Sequence, residues 1–288
     1  MKTNIVCGLA LFLLIVSACS RPPKVVQAPA KAAADATLRL AQTLESQHRF
    51  GDSRQTYQSA LNQYRSFGDL RGSAYALAGL ARAAYANNNE ESYHRFREEL
   101  EALIKHGDPE AAYVPLLLDL YIYNSNENYA MIKELANDSY DYDIHNRIQI
   151  LTYAVQADTY LNPGFISSSA KDLERLSRRY RGTIRKDVYA NPTVLSAALY
   201  ALAYHSFVLK EYPEAEKLIS EAEDLDSRYE NFPALGYDYW LRANILENNR
   251  QRDEAKADYI RAQGIFTRFE NTEMLLKTEA ALKRLKGE

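Results

Sequence analysis

Five histidines, His48, His94, His106, His145 and His205, are the natural candidates for proton transfer or metal ligation, and their spacing supports neither. No two stand four apart, and no His-Glu-x-x-His run sets two imidazoles on one helical face around zinc. The Gly-x-Ser-x-Gly elbow, the glycine-rich lysine loop that cradles phosphates and the dinucleotide Gly-x-Gly-x-x-Gly are missing. Both cysteines, Cys7 and Cys19, fall in the first twenty residues, so the body has no thiol for a disulfide, a zinc site or a nucleophile. Acids cluster at Glu98, Glu99 and Glu101 and again at Glu221, Glu223, Asp224 and Asp226, at spacings typical of exposed helix faces. The expectation is no catalytic residue, no metal and no cofactor, with carboxylates gathered by the fold as the remaining route to an enzyme.

Cys19 is the exception. Lys2 precedes an unbroken apolar run over 5–16, twelve residues long and too short to span ~30 Å of hydrocarbon, which reads as an export signal. The following Val16-Ser17-Ala18-Cys19 resembles the lipobox of bacterial lipoproteins, in which the cysteine is acylated and becomes the new N-terminus. That resemblance implies a signal peptide over 1–18, a lipid on Cys19 and a body tethered to a membrane without a spanning helix. The alternative is an ordinary signal peptide cut after Ala18. Ser20 stands where an aspartate would mark inner-membrane retention, which by the same resemblance implies the outer membrane of a Gram-negative cell, with the body facing the periplasm. Residues 19–36 carry Pro22, Pro23 and Pro29 among Ala and Lys, and are expected to form an extended tether reaching up to ~50 Å.

Beyond the tether the chain is globular in composition, 47% hydrophobic and 25% charged among 288 residues, and its net charge of −3 gives no support to a nucleic-acid surface. Apolar residues recur at three and four, as helices require. Breaks fall at short clusters near 49–52, 68–69, 87–89, 106–109, 124–126, 162–164, 191–192 and 248–250, rich in Gly, Asn, Asp and Pro. Residues 199–227 and 239–268 superpose at a shift of forty, bringing Ala203 onto Ala243, Ala215 onto Ala255 and Ala222 onto Ala262. An earlier copy at 37–64 has Ala41, Ser53, Tyr57 and Ala60 in the same places, and 75–104 reads as a degenerate one. Small residues two turns apart on one helix face let a partner helix approach closely.

This pattern resembles the tetratricopeptide repeat, with a stretched period. The resemblance implies an all-α, right-handed solenoid of antiparallel helix pairs over 37–288, ended by a capping helix at 272–286. The stretch to forty implies longer helices or a longer turn around Phe232-Pro233. In such a solenoid the first helix of each pair lines a concave groove, here with Ala197, Tyr200, Tyr204 and Phe207, then Tyr237, Trp240, Asn244 and Glu247. Tyr and Trp give binding energy while tolerating partial exposure, so these form the expected partner-binding groove, with packing between helices as the competing role. Asn244 has no basic companions at matching places, which argues against a clamp for a free C-terminus. Tyr113, Tyr121, Tyr123, Tyr129, Tyr140 and Tyr142 make a second cluster, read as helix packing ahead of a glycan or partner surface. Arg175, Arg178, Arg179, Arg181, Arg185 and Lys186 form a basic patch suited to an acidic partner, lipopolysaccharide phosphate or peptidoglycan carboxylates, or a solvated helix end. The combined expectation is a non-enzymatic, lipid-anchored periplasmic adaptor that binds proteins of envelope assembly, such as outer-membrane protein, secretin, pilus or polysaccharide export machinery. The alternatives are an organiser of peptidoglycan-processing enzymes, a small-ligand binder and a glycan or peptide hydrolase.

Overall fold

The computed structural model describes residues 28–137, 142–184 and 191–287. The signal peptide, Cys19, Tyr140, Arg185 and Lys186 lie outside them. Thirteen α-helices follow one another: α1 Pro29–Ser46, α2 Phe50–Ser66, α3 Leu70–Ala86, α4 Glu90–His106, α5 Tyr113–Ser125, α6 Tyr129–Ala136, α7 Ile144–Leu161, α8 Ser168–Ile184, α9 Pro192–Val208, α10 Tyr212–Arg228, α11 Phe232–Asn248, α12 Arg252–Arg268 and α13 Thr272–Lys286, with a 3-10 turn at Pro109–Ala111. Each packs on its neighbours in sequence, and the odd-numbered helices also touch one another, giving an all-α solenoid of six pairs closed by α13.

The period of forty comes from helix length. Most helices run 17 residues and the links between them three, so two helices and two links fill the repeat, and Phe232-Pro233 is the first turn of α11 rather than an extended loop. The links share one geometry. His48, Gly68, Asn88, Glu127, Lys210, Glu230, Arg250 and Glu270 all adopt left-handed φ between 54° and 74°. In each, the following N–H returns to a carbonyl five residues earlier, as Asn89 to Ala84, Asn231 to Asp226 and Gln251 to Leu246, all at 2.9 Å. This satisfies carbonyls a helix end leaves bare and reverses the chain in three residues.

The repeated small residues sit where close approach needs them. Ala41, Ser53 and Ala60, then Ala203, Ala215 and Ala222, then Ala243, Ala255 and Ala262 are all fully buried between helices. At the α2–α3 contact the approach is closer still. A Cβ on Gly79 would collide with the Tyr57 ring, and one on Gly72 with the Tyr64 ring. Regularity fails in the middle, where α5 has 13 residues and α6 only eight, and the 3-10 turn replaces a three-residue link. The degenerate copy expected at 75–104 is the complete pair α3–α4, beginning at Leu70.

Two expectations need correcting. The tether does not remain extended to residue 36, because α1 starts at Pro29, with proline in the first turn and the Ala-rich 30–36 continuing the helix. Ala34 is fully buried there. Asp226, expected on an exposed face, is only 1% exposed. It occupies the place that Tyr64 and Phe266 fill with rings in the first and last pairs, and it meets a second buried acid, Asp238.

Candidate functional site

Aromatic rings from four successive parts of the chain converge in the second half of the solenoid. The rings of Tyr129 and Tyr160 stack in parallel at 4.5 Å, Tyr160 lies 5.8 Å from Tyr204, Tyr204 is 6.5 Å from Phe207, and Phe207 is 6.0 Å from Tyr212. The ladder crosses α6, α7, α9 and α10. Tyr160 is 51% exposed, and the other rungs are half-buried. The Tyr160 phenol lies close enough to those of Tyr129 and Tyr204 to perturb both. Burial first, then the Tyr160 phenol, pushes the Tyr129 hydroxyl up to about 12, and burial raises the Tyr204 hydroxyl further. The Tyr129 and Tyr204 hydroxyls are therefore neutral donors and acceptors at physiological pH.

A second branch leads inward. Tyr200 meets Tyr237 edge-on at 6.4 Å, and Tyr237 meets Phe266 at 5.2 Å while accepting a 2.8 Å hydrogen bond from Asn271. Burial and nearby Asp238 hold the Tyr200 hydroxyl well above the usual phenol range. Lys277 of α13 salt-bridges Glu273 at 2.6 Å, which raises its ammonium, and it lies near enough to Tyr160 and Tyr237 to feel both phenols. Thus α7 and α13, three pairs apart in sequence, border one hydroxyl-rich bowl with the Lys277–Glu273 pair at its edge.

The residues expected in the groove divide here. Tyr200, Tyr204 and Phe207 belong to the bowl and its ladder while also packing on the core, and Tyr237 joins them through Tyr200. Ala197 is exposed. Trp240 packs against Ala262, Phe266 and Met274, and its indole N–H is buried without an acceptor among the described residues. Asn244 donates to the Trp240 carbonyl in its own helix at 2.7 Å. Glu247 is taken by Arg284 at 2.6 and 2.9 Å and by the Tyr259 hydroxyl at 3.1 Å. Those last three residues lie where α13 closes the end of the solenoid. Tyr129, Tyr160, Tyr212 and Lys277 take the places in the bowl that sequence position did not assign them. A signal for Tyr129 existed in the 113–142 cluster, whereas Tyr160 stands in a pair whose register is irregular. Within that cluster, Tyr113 is buried and bonded to the Tyr75 hydroxyl at 2.7 Å, and Tyr121 covers the Arg82 guanidinium at 5.7 Å, so both serve packing.

The basic residues gather on α8. Arg175, Arg178 and Arg179 are exposed, while Arg181 is half-buried and paired with Glu221. A groove of about 320 Å³ lies beside them, floored by Leu202, Leu209 and Leu218 and rimmed by Lys171, Glu174 and Arg178, and it is open to solvent. Among the described residues no three His, Cys, Asp or Glu side chains come together as metal ligands, and no helix is long and apolar enough to cross a membrane. No family model matches the chain, and no curated protein matches its sequence.

Proposed function

We propose that this chain is a lipid-anchored adaptor of the tetratricopeptide-repeat type, held at the periplasmic face of an outer membrane through Cys19, whose concave surface binds another protein of an envelope assembly. One observation carries the reading: the Tyr129–Tyr160–Tyr204–Phe207–Tyr212 ladder presents partly exposed rings across four helices. Tyrosines held by stacking lose little conformational freedom on docking and offer both apolar area and hydroxyls, which is how interface anchors contribute affinity. A catalytic role gains little from the acids. Asp226 and Asp238 touch, but each is 1% exposed and has no path to a substrate.

The test is partner capture by the full chain in cells. Tyr160→Ser with Tyr204→Ser is expected to weaken copurification of partners by at least tenfold while the helical circular dichroism is unchanged. Undiminished capture by a folded double variant refutes the groove. Cys19→Ser is expected to release the protein from the membrane fraction if acylation is the anchor.

A further inference from the structure

The chain between α7 and α8 displays apolar side chains to solvent. Phe165 is 74% exposed, Ile166 63% and Leu161 43%, on a turn made by Asn162, Pro163 and Gly164, whose φ is +96°. Such a contiguous patch calls for a partner.

The turn is pinned from below. Ser167, directly after Ile166, is buried and gives its hydroxyl to Asp158 at 2.5 Å, and the same oxygen accepts the Ala170 N–H at the start of α8. The Ser167 N–H bonds to His205 Nε2 at 3.3 Å, so the imidazole carries its proton on Nδ1 and donates it to Thr159 Oγ1 at 2.9 Å. The Thr159 hydroxyl in turn donates to the Val155 carbonyl at 2.7 Å, and Lys133 closes the set on Asp158 at 2.7 Å. Three helices therefore hold the tip in place, and the exposure of Phe165 and Ile166 is built into the fold rather than a frayed end.

Immediately after the tip, α8 carries five cations and two acids. Lys171, Arg175, Arg178 and Arg179 stand at i, i+4, i+7 and i+8, so they form one exposed stripe, opposite the buried Leu173, Leu176 and Tyr180. Arg175 pairs with Asp172 at 2.9 Å and Arg178 with Glu174, both acids on α8 itself, while Lys171 and Arg179 form no ion pair among the described residues. On a chain of net charge −3 this stripe concentrates positive charge on one surface element.

We propose that this element is a membrane-docking surface: Phe165 and Ile166 enter an anionic bilayer and the Lys171–Arg175–Arg178–Arg179 stripe lies on its headgroups. A protruding apolar tip fits a fluid, apolar layer that needs no complementary shape, and a flanking cationic stripe fits a polyanionic plane; together they are the two components that interfacial binding requires. The contact is separate from the lipid on Cys19 and from the tyrosine bowl, and it would fix how the body sits over the membrane.

The experiment places a local reporter at the tip in the full chain with Cys19→Ser, so acylation contributes nothing. Phe165→Trp in a Trp240→Phe background, with Ile166→Trp as the second probe, is titrated with phosphatidylglycerol-containing vesicles and with phosphatidylcholine vesicles. A blue shift of the emission on anionic vesicles, at least about tenfold weaker on phosphatidylcholine, is expected. Arg175→Glu with Arg179→Glu should abolish it, and Ile166→Asp in the Phe165→Trp chain should weaken it about tenfold. Unchanged emission of both probes on anionic vesicles overturns the proposal, as does equal insertion into both vesicle types. A shift with an acidic polypeptide and none with vesicles assigns the surface to a protein partner and overturns it too.

Discussion

Arg82 holds Glu45 through two nitrogens, at 2.8 and 3.0 Å, across 37 residues of chain, and the Tyr57 hydroxyl completes the group with a 2.5 Å bond to the same carboxylate. At the far end of the solenoid, Arg284 holds Glu247 at the same separation, and Tyr259 plays the part of Tyr57. Forty residues before that second set the same places hold Phe207, Ile219 and Asn244, so the interior repeat is uncharged where the two ends are ionic. The first set is the more enclosed, with side-chain exposures of 21% and 11% for Arg82 and Glu45 against 58% and 21% for Arg284 and Glu247. Arg82→Met leaves the Glu45 carboxylate uncompensated and should cost about 3 kcal/mol, whereas Arg284→Ala should cost about 1 kcal/mol or less. Urea melts compare the two, and Glu45→Met added to Arg82→Met should recover part of the loss. Equal costs for the two arginines contradict the burial argument.

Gly79 and Gly264 make opposite predictions for one substitution. A Cβ at Gly79 strikes the Tyr57 ring, so Gly79→Ala should destabilise by about 2 kcal/mol through overpacking. A Cβ at Gly264 meets nothing within 4 Å on an exposed stretch of α12, so Gly264→Ala should stabilise by up to about 1 kcal/mol through helix propensity. Thermal melts read the two signs directly.

The links explain what was legible in the sequence and what was not. Gly68 and Asn88 announce their turns by residue type, since both tolerate left-handed φ. Lys210 and Glu230 do the same structural work with φ of 61° and 57° and carry no such signal themselves, so the break at 209–211 is invisible to a search for Gly, Asn, Asp and Pro, and the one at 229–231 shows only through Asn231. The small-residue positions were legible because close packing restricts size, and all nine of those compared here are buried. The groove was legible only where the repeat is regular. Tyr204 follows from register, but Tyr160 comes from an irregular pair, and the loss of Trp240, Asn244 and Glu247 to the cap depends on α13 folding back on α11, which no single-helix pattern encodes. Lys210→Gly and Glu230→Gly should each stabilise by about 0.5–1 kcal/mol by relieving left-handed strain, and a destabilised Gly variant at either position contradicts this.

Asp238 should tie folding to proton uptake. Burial, with the neighbouring Asp226 carboxylate, pushes its acid up to about 9, against 3.8 for an ordinary aspartate. The folded state therefore holds a proton that the unfolded chain releases above pH 3.8, so stability is full below that value and falls as pH rises from there towards 9. Asp238→Asn keeps the shape, needs no proton and should stabilise at neutral pH by about 1–3 kcal/mol, with the gain vanishing towards pH 4. Melts of both proteins across that range check it, and a gain independent of pH contradicts proton uptake by Asp238.

Partner contact at the tyrosine bowl is tested in cells by a photocrosslinking amino acid placed singly at Tyr160, at Tyr204 and at the exposed Ile260 of α12. Discrete crosslinked species are expected from positions 160 and 204 and none from 260. Adducts from position 260 equal to those from the bowl, or no adducts from the bowl at all, contradict it.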